Sequence, residues 1–331
     1  MARKNAPSNR SSDSPASASG RAGIRRIVVP LDGSQLSESA LPTALSLGRL
    51  SGATVYAVHV LVPPPLDTHV PGLFDTVRNL EQTFEQQARD YLEDVKRRYA
   101  TTGARLVVEL LGTPASDDSL GDTRAIVKTL GDLVREREPD LIVMTSHGQG
   151  GLRRAWLGSV TDDAIRRSGV PVLIVRAPTL VTSPPFTHIL VPMDGSPLAD
   201  QALPIARQLA ALTEARLTLL RVLIPLHAVA KPAPVARIDR EDLARKRADA
   251  EEHFRRVRST SGLTPNGVDT ALVVDKNPGQ AILDFAQTHD VDLIAMTTQG
   301  LGGVKRLLIG STADKVVRGA TGNVLVYRGQ V

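Results

Sequence analysis

The feature that most limits what this chain can fold into is that it contains one unit twice. The octapeptide IVVPLDGS at 27–34 returns as ILVPMDGS at 189–196, an offset of 162 positions. The glycine-bearing stretch SHGQGGLRRAWLGS at 146–159 returns as TQGLGGVKRLLIGS at 298–311, an offset of 152 that PVLIVR (171–176) and NVLVYR (323–328) keep. The fall from 164 at Pro114 and Pro278 to 152 places about twelve extra residues in the first copy, between Pro114 and Asp140. A repeat this long means two tandem domains rather than a solenoid, whose units are far shorter. With 331 residues, each copy has room for its own core.

Within a copy, short runs rich in Val, Ile and Leu alternate with segments of helical spacing. In the second copy HILVPM ends at a turn and is followed by SPLADQALPIARQLAALT, with Leu198, Ala202, Ile205 and Leu209 on one helical face. Pro42 and Pro204 stand at matching places in these first helices and predict a kink or a late start in both. In the first copy Val77, Leu80, Phe84, Ala88, Tyr91, Val95 and Tyr99 form one apolar stripe on a long helix. A further helix ends near Glu138, and DLIVMT leads into the glycine loop. Buried strands alternating with helices imply a parallel sheet covered on both faces, a doubly wound α/β fold. Ligands of such sheets sit outside the carboxyl ends of the strands, where Asp32 and the Gly148 loop emerge.

Composition removes several classes. With no cysteine there is no disulfide, no thiolate zinc site and no thiol catalysis, which fits a reducing cytosol. No apolar run is long enough to span a bilayer, and residues 1–23 lack the apolar core of a secretory signal, so a cytoplasmic location is expected. The net charge of +5 lies wholly in the first 26 residues, where Arg3, Lys4, Arg10, Arg21, Arg25 and Arg26 face Asp13 alone. The folded part is therefore neutral and gives no strong nucleic-acid signal, and the Ser- and Ala-rich tail at 1–23 is expected to be disordered. The seven histidines form no pair at metal-ligand spacing and no nucleophile elbow occurs, so no metal or catalytic set is expected.

The glycine loop fits neither the P-loop pattern nor the dinucleotide fingerprint, whose third glycine would fall at Arg153 and Lys305. Its glycines still permit close approach of backbone N–H groups to an anion, and a helix N-terminus follows. SVTD and STAD also read as capping boxes, with Ser159 or Ser311 as N-cap and Asp162 or Asp314 reaching back. Asp32 and Asp194 divide between fixing a turn and presenting a carboxylate at the sheet's mouth. Arg153, Arg154, Lys305 and Arg306 divide between solvated surface and phosphate contact, and His147 has Gln299 as its counterpart.

Together VPLDGS, VHV, SHGQGGLRRAWLGSV and PVLIV resemble the universal stress protein family, as do VPMDGS, LRV, TQGLGGVKRLLIGST and NVLVY. The resemblance runs over nearly all of residues 26–329 and implies two Rossmann-like (adenine nucleotide alpha hydrolase-like) domains at 24–178 and 187–329. Each would hold five parallel strands in the order 3-2-1-4-5 with helices on both faces. The family's nucleotide-binding branch holds ATP, with magnesium expected to arrive on the phosphates. The resemblance implies contacts from Asp32, Val60, Gly148, Gly158 and Ser159 in the first domain and from Asp194, Val222, Gly300, Gly310 and Ser311 in the second. The branch's spacing of nine residues between the last two glycines holds in both copies, while its first glycine is Thr145 here and Thr297 there. The functions this leaves open are an ATP-occupancy regulator of stress responses, a nucleotide-free scaffold and a slow ATPase. The final strands are apolar enough to pair the two domains within one chain, and homo-oligomers stay open.

Overall fold

The β-branched runs do become strands, and their pairing carries the whole architecture. In the computed structural model, residues 23–62, 74–112, 123–146, 158–176, 180–226, 233–260, 267–298 and 309–329 are described. The first copy runs β1 (Arg26–Leu31), α1 (Gln35–Glu38), α2 (Leu41–Ser51), β2 (Thr54–Leu61), α3 (Phe74–Arg98), β3 (Arg105–Gly112), α4 (Thr123–Arg137), β4 (Leu141–Thr145), α5 (Ser159–Arg167) and β5 (Val172–Val175). The second repeats it as β6 (His188–Pro192), α6 (Pro197–Asp200), α7 (Leu203–Thr213), β7 (Arg216–Leu223), α8 (Ala233–Thr260), β8 (Val268–Val274), α9 (Pro278–Thr288), β9 (Leu293–Thr297), α10 (Ser311–Gly319) and β10 (Asn323–Tyr327). The tail at 1–22 and the glycine loops at 147–157 and 299–308 lie outside the described residues, as does most of the extra stretch of the first copy.

Each half orders its parallel strands 3-2-1-4-5, and the halves join edge to edge in a sheet of order β3-β2-β1-β4-β5-β10-β9-β6-β7-β8. The joint is antiparallel, with Leu173 opposite Leu325. Because side chains alternate along a strand, Ile27, Val29 and Leu31 face one layer and Val28 the other. The first layer is one apolar cluster spanning both halves, from Leu45 of α2 and Val95 of α3 to Leu209 of α7 and Phe254 of α8. Ile165 of α5 and Ile282, Val316 and Val317 of α9 and α10 pack on the opposite face.

Both early prolines produce the late start. Pro42 and Pro204 sit in the first turns of α2 and α7, where a missing N–H costs nothing, and each is preceded by a separate four-residue helix. Among the described side chains, the stripe on α3 is buried only in its second half. Ala88 and Val95 are in the core with their neighbour Leu92, whereas Leu80 and Phe84 are exposed.

Two aspartates do equivalent work at the strand starts. Asp140 Oδ2 accepts from the N–H groups of Arg25 and Arg26 at 2.8 and 2.9 Å, and Asp292 Oδ2 accepts from those of Thr187 and His188 at 2.6 and 2.9 Å. His188 itself is buried in β6, with Nδ1 2.9 Å from the His289 carbonyl and Nε2 2.8 Å from the Thr218 hydroxyl. Burial holds its pKa below the usual histidine range and Arg216 pushes the same way, while the His289 carbonyl, Asp292 and Asp269 oppose it. A lowered folded pKa means that the unfolded chain takes the proton first. Stability tied to neutral His188 is therefore present above about pH 6.5 and is lost as pH falls below it, by at most about 1.4 kcal/mol per pH unit. His188→Gln should flatten this part of a urea-midpoint profile between pH 7 and 5; an unchanged slope would assign the acid sensitivity elsewhere.

Candidate nucleotide site

The site is built at the carboxyl end of the sheet from a turn after the first strand of each copy and a helix after the fourth. In the first copy Asp32 Oδ1 accepts from Ser34 N–H at 3.0 Å and from Ser34 Oγ at 2.6 Å, and Ser34 Oγ caps α1 by accepting from Ser37 N–H at 3.1 Å. The second copy reproduces this, with Asp194 Oδ1 at 3.0 and 2.6 Å from Ser196 N and Oγ, and Ser196 Oγ accepting from Ala199 N–H at 3.1 Å. Gly33 and Gly195 lie in the left-handed region, φ 82° and 85°. One carboxylate oxygen thus fixes the turn in both copies, so the aspartate's local geometric role is present whatever it does toward a ligand.

The helix starts correct the capping-box expectation. The N-caps are Gly158 and Gly310, extended at ψ 147° and 152°, and neither α5 nor α10 has a side-chain cap. Gly158 N–H donates to the Ser146 carbonyl at 2.8 Å and Gly310 N–H to the Thr298 carbonyl at 2.6 Å, closing each glycine loop at its base. The glycine carbonyls in turn accept from Asp162 and Asp314 N–H. The serines consequently fall inside the first turn, exposed to solvent, and Asp162 and Asp314 pair with Arg166 and Arg318 instead of reaching back. What results among the described residues is a helix N-terminus whose glycine cap supplies no side chain, with a serine hydroxyl beside it, twice over.

Val60 of β2 and Val222 of β7 are half-buried, each just past the residues paired with the central strand, Leu31 with His59 and Pro192 with Leu220. Gly148 and Gly300 lie outside the described residues, as do Arg153, Arg154, Lys305, Arg306, His147 and Gln299. Thr145 and Thr297 end β4 and β9 and are buried.

The two copies differ beneath this shared frame, and sequence reasoning missed the difference. In the first, Glu38 pairs with Arg98 at 2.6 Å, and His59 meets Tyr91 edge-on, centroids 5.8 Å apart. Burial first, then the Glu38 carboxylate, raise the pKa of the Tyr91 phenol. At the same three positions the second copy has Asp200, Arg221 and His253, with His253 Nε2 3.0 Å from Asp200 Oδ2. The Arg221 guanidinium lies so close over the turn that a Cβ on Gly195 would overlap it, and Asp194 and Asp200 offset the burial that lowers its pKa. The offset of 162 would have shown His59 against Arg221. That Arg221 lies over the Gly195 turn needs the β6–β7 register.

Among the described residues no group of three or more His, Asp or Glu could hold a metal, and no helix is long and apolar enough to cross a membrane.

Comparison with known proteins agrees with this architecture. The sequence model of the universal stress protein family matches residues 23–176 and again 185–328. A universal stress protein of Mycobacterium tuberculosis is 26% identical over 310 residues, covering 91% of this chain and 94% of that protein. One from Methanocaldococcus jannaschii is 30% identical over 156 residues, 46% of this chain and 83% of its own length. The crystal structure of a universal stress protein from Archaeoglobus fulgidus superposes with a TM-score of 0.64 at 20% identity, covering 92% of this chain and 98% of that one, which bears on the fold. With the family matched once in each half of an α/β sheet built twice, this chain is a tandem member of the universal stress protein family.

Proposed function

We propose that both domains, 24–178 and 187–329, are adenine-nucleotide sites, and that the chain acts in the cytoplasm as a regulator whose state is set by their occupancy. One observation carries the reading: in each copy a helix N-terminus with a glycine cap and an exposed serine follows the fourth strand, at the sheet end where the aspartate turn also stands. Backbone N–H groups at Gly158–Ser159 and Gly310–Ser311 suit phosphate oxygens, and the Asp32 and Asp194 carboxylates suit ribose hydroxyls. Val60 and Val222 would meet adenine through their backbones, and Gly148 and Gly300 would line the phosphates. Bound ATP would bring magnesium on its own phosphate oxygens, since no protein cage is needed for it.

Asp194→Ala combined with Gly310→Arg should weaken ATP binding to the second domain by about 100-fold or more, as a ribose acceptor is lost and a side chain enters the phosphate approach. Equilibrium dialysis with the first site disabled by the matching pair Asp32→Ala and Gly158→Arg reads this directly. Unchanged affinity would overturn the assignment. The copies are expected to be unequal, because Arg221 lies beside Asp194 where the first domain has His59. Counting adenine nucleotide released from denatured protein should give between one and two per chain. None released and no thermal shift with magnesium and ATP would favour a nucleotide-free scaffold, the reading to which Thr145 and Thr297 lend weight.

A further inference from the structure

We propose that Arg221 sets the sugar selectivity of the second nucleotide site: the first domain selects for the ribose hydroxyls, whereas the second takes adenine nucleotides with or without them. This rests on the nucleotide reading and deepens it. The two halves share one frame around the aspartate turn, and within that frame a cation has changed place. In the first domain the acid Glu38 of α1 is met by Arg98 of α3 at 2.6 Å. The residue near the end of β2 is His59, whose Nδ1 lies 3.0 Å from the Leu31 carbonyl. At the offset of 162 the counterparts of Glu38, His59 and Arg98 are Asp200, Arg221 and Thr260. The long helix thus loses an arginine and the strand beside the turn gains one.

That move brings a positive charge to the carboxylate assigned to ribose. The Arg221 guanidinium lies so close over Gly195 that a Cβ there would overlap it. It sits among carboxylates from the turn, from α6 and from α8, since Asp194, Asp200 and Asp249 all oppose the burial that lowers its pKa. Asp200 is itself engaged by His253 Nε2 of α8 at 3.0 Å. Asp194 Oδ1 already accepts from Ser196 N–H and Oγ, so the carboxylate is committed on one oxygen before any ligand arrives. A hydroxyl donating to an ionised carboxylate makes a bond about twice as strong as a neutral one, and that gain comes from the acceptor's charge. A guanidinium held beside the same carboxylate in a half-buried setting, where solvent screens less, draws on that charge first. The ribose contact is therefore worth less at Asp194 than at Asp32, beside which the first domain places an imidazole tied to a backbone carbonyl.

The probes are ATP and 2′,3′-dideoxy-ATP, each with magnesium, measured by equilibrium dialysis on the full chain. One site is disabled at a time, by Asp32→Ala with Gly158→Arg or by Asp194→Ala with Gly310→Arg. The first domain should prefer ATP by about tenfold or more, the worth of a hydrogen bond to a charged group, and the second by no more than about threefold. Arg221→His should raise the preference of the second domain to about tenfold. Because that variant removes a cation from among three carboxylates, the reciprocal His59→Arg tests the same point without touching them, and it should lower the preference of the first domain to about threefold or less. Equal preferences in the two parent domains, or an unchanged preference in either folded variant, would overturn the proposal. ATP bound by the first domain alone would overturn it while leaving the nucleotide reading of that domain intact. Binding of neither nucleotide at either site would refute the nucleotide reading, and the proposal with it.

Discussion

Phe186→Ala is expected to lower the stability of the chain by about 4 kcal/mol, the range for emptying a large aromatic site in a packed core. The residue stands two positions before β6, at the end of a proline-containing connection, yet its side chain is 0% exposed. It belongs to the apolar cluster that runs through both halves, to which α2, α3, α7 and α8 contribute, so the void would open in the layer they share. The connection cannot easily collapse into that void. Ser46 Oγ of α2 donates to the Ser183 carbonyl at 2.7 Å and Arg49 to the Thr182 carbonyl at 3.2 Å, which hold it against the first domain. A urea midpoint lowered without change in m would match this expectation. A loss below about 1 kcal/mol would mean that the cluster repacks freely across the domain joint.

Much of this fold was legible because it rests on local patterning. Strands such as IVVPL and VLIV read directly, and the equal offsets of Pro42 and Pro204 gave the helix starts. The capping-box expectation failed for a physical reason. A glycine before the serine adopts the extended cap conformation itself, shifting the helix start by one residue and releasing the hydroxyl. The α3 stripe was right in period, while burial of its described side chains holds only over the second half, since periodicity does not say how far along a helix the contact with a core extends. Phe186 falls between the domain bounds 24–178 and 187–329, and nothing local marks it as core because its burial comes from elements distant in sequence.

The site divides in the same way. The turns of Asp32 and Asp194 follow from three adjacent residues and were readable as such. The approach of Arg221 to Gly195 depends on strand register, and the packing of Leu283 over Gly319 depends on which helix faces pair; neither leaves a trace in any short window. Duplication supplied the comparison that exposes them. Where two copies of one frame carry His59 and Arg221, or Gly131 and Leu283, the shared backbone turns a substitution into a statement about shape or charge.

Arg176 and Arg328 provide the sharpest test of the domain joint, because they are counterparts at the offset of 152 with opposite exposure. Each follows the last strand of its own domain and reaches the end of the last helix of the other. The Arg176 guanidinium donates to the Val317 and Ala320 carbonyls at the end of α10, and its backbone N–H donates to Asn323 Oδ1 at 3.0 Å. Arg328 donates to the Arg166 carbonyl at the end of α5. Such carbonyls have no partner within their helix, and a cation also meets the negative end of the helix dipole. Arg176 is partly buried, and that burial lowers its pKa, whereas Arg328 is exposed to solvent. Arg176→Met should therefore cost about 2–3 kcal/mol, since two helix-end acceptors lose a charged donor inside the joint. Arg328→Met should cost about 0.5 kcal/mol or less. Urea unfolding of the two variants measures both values, and small-angle scattering of Arg176→Met should show a looser pair of domains. Equal losses would mean that burial does not decide the strength of this exchange and that the β5–β10 strand pairing carries the joint alone.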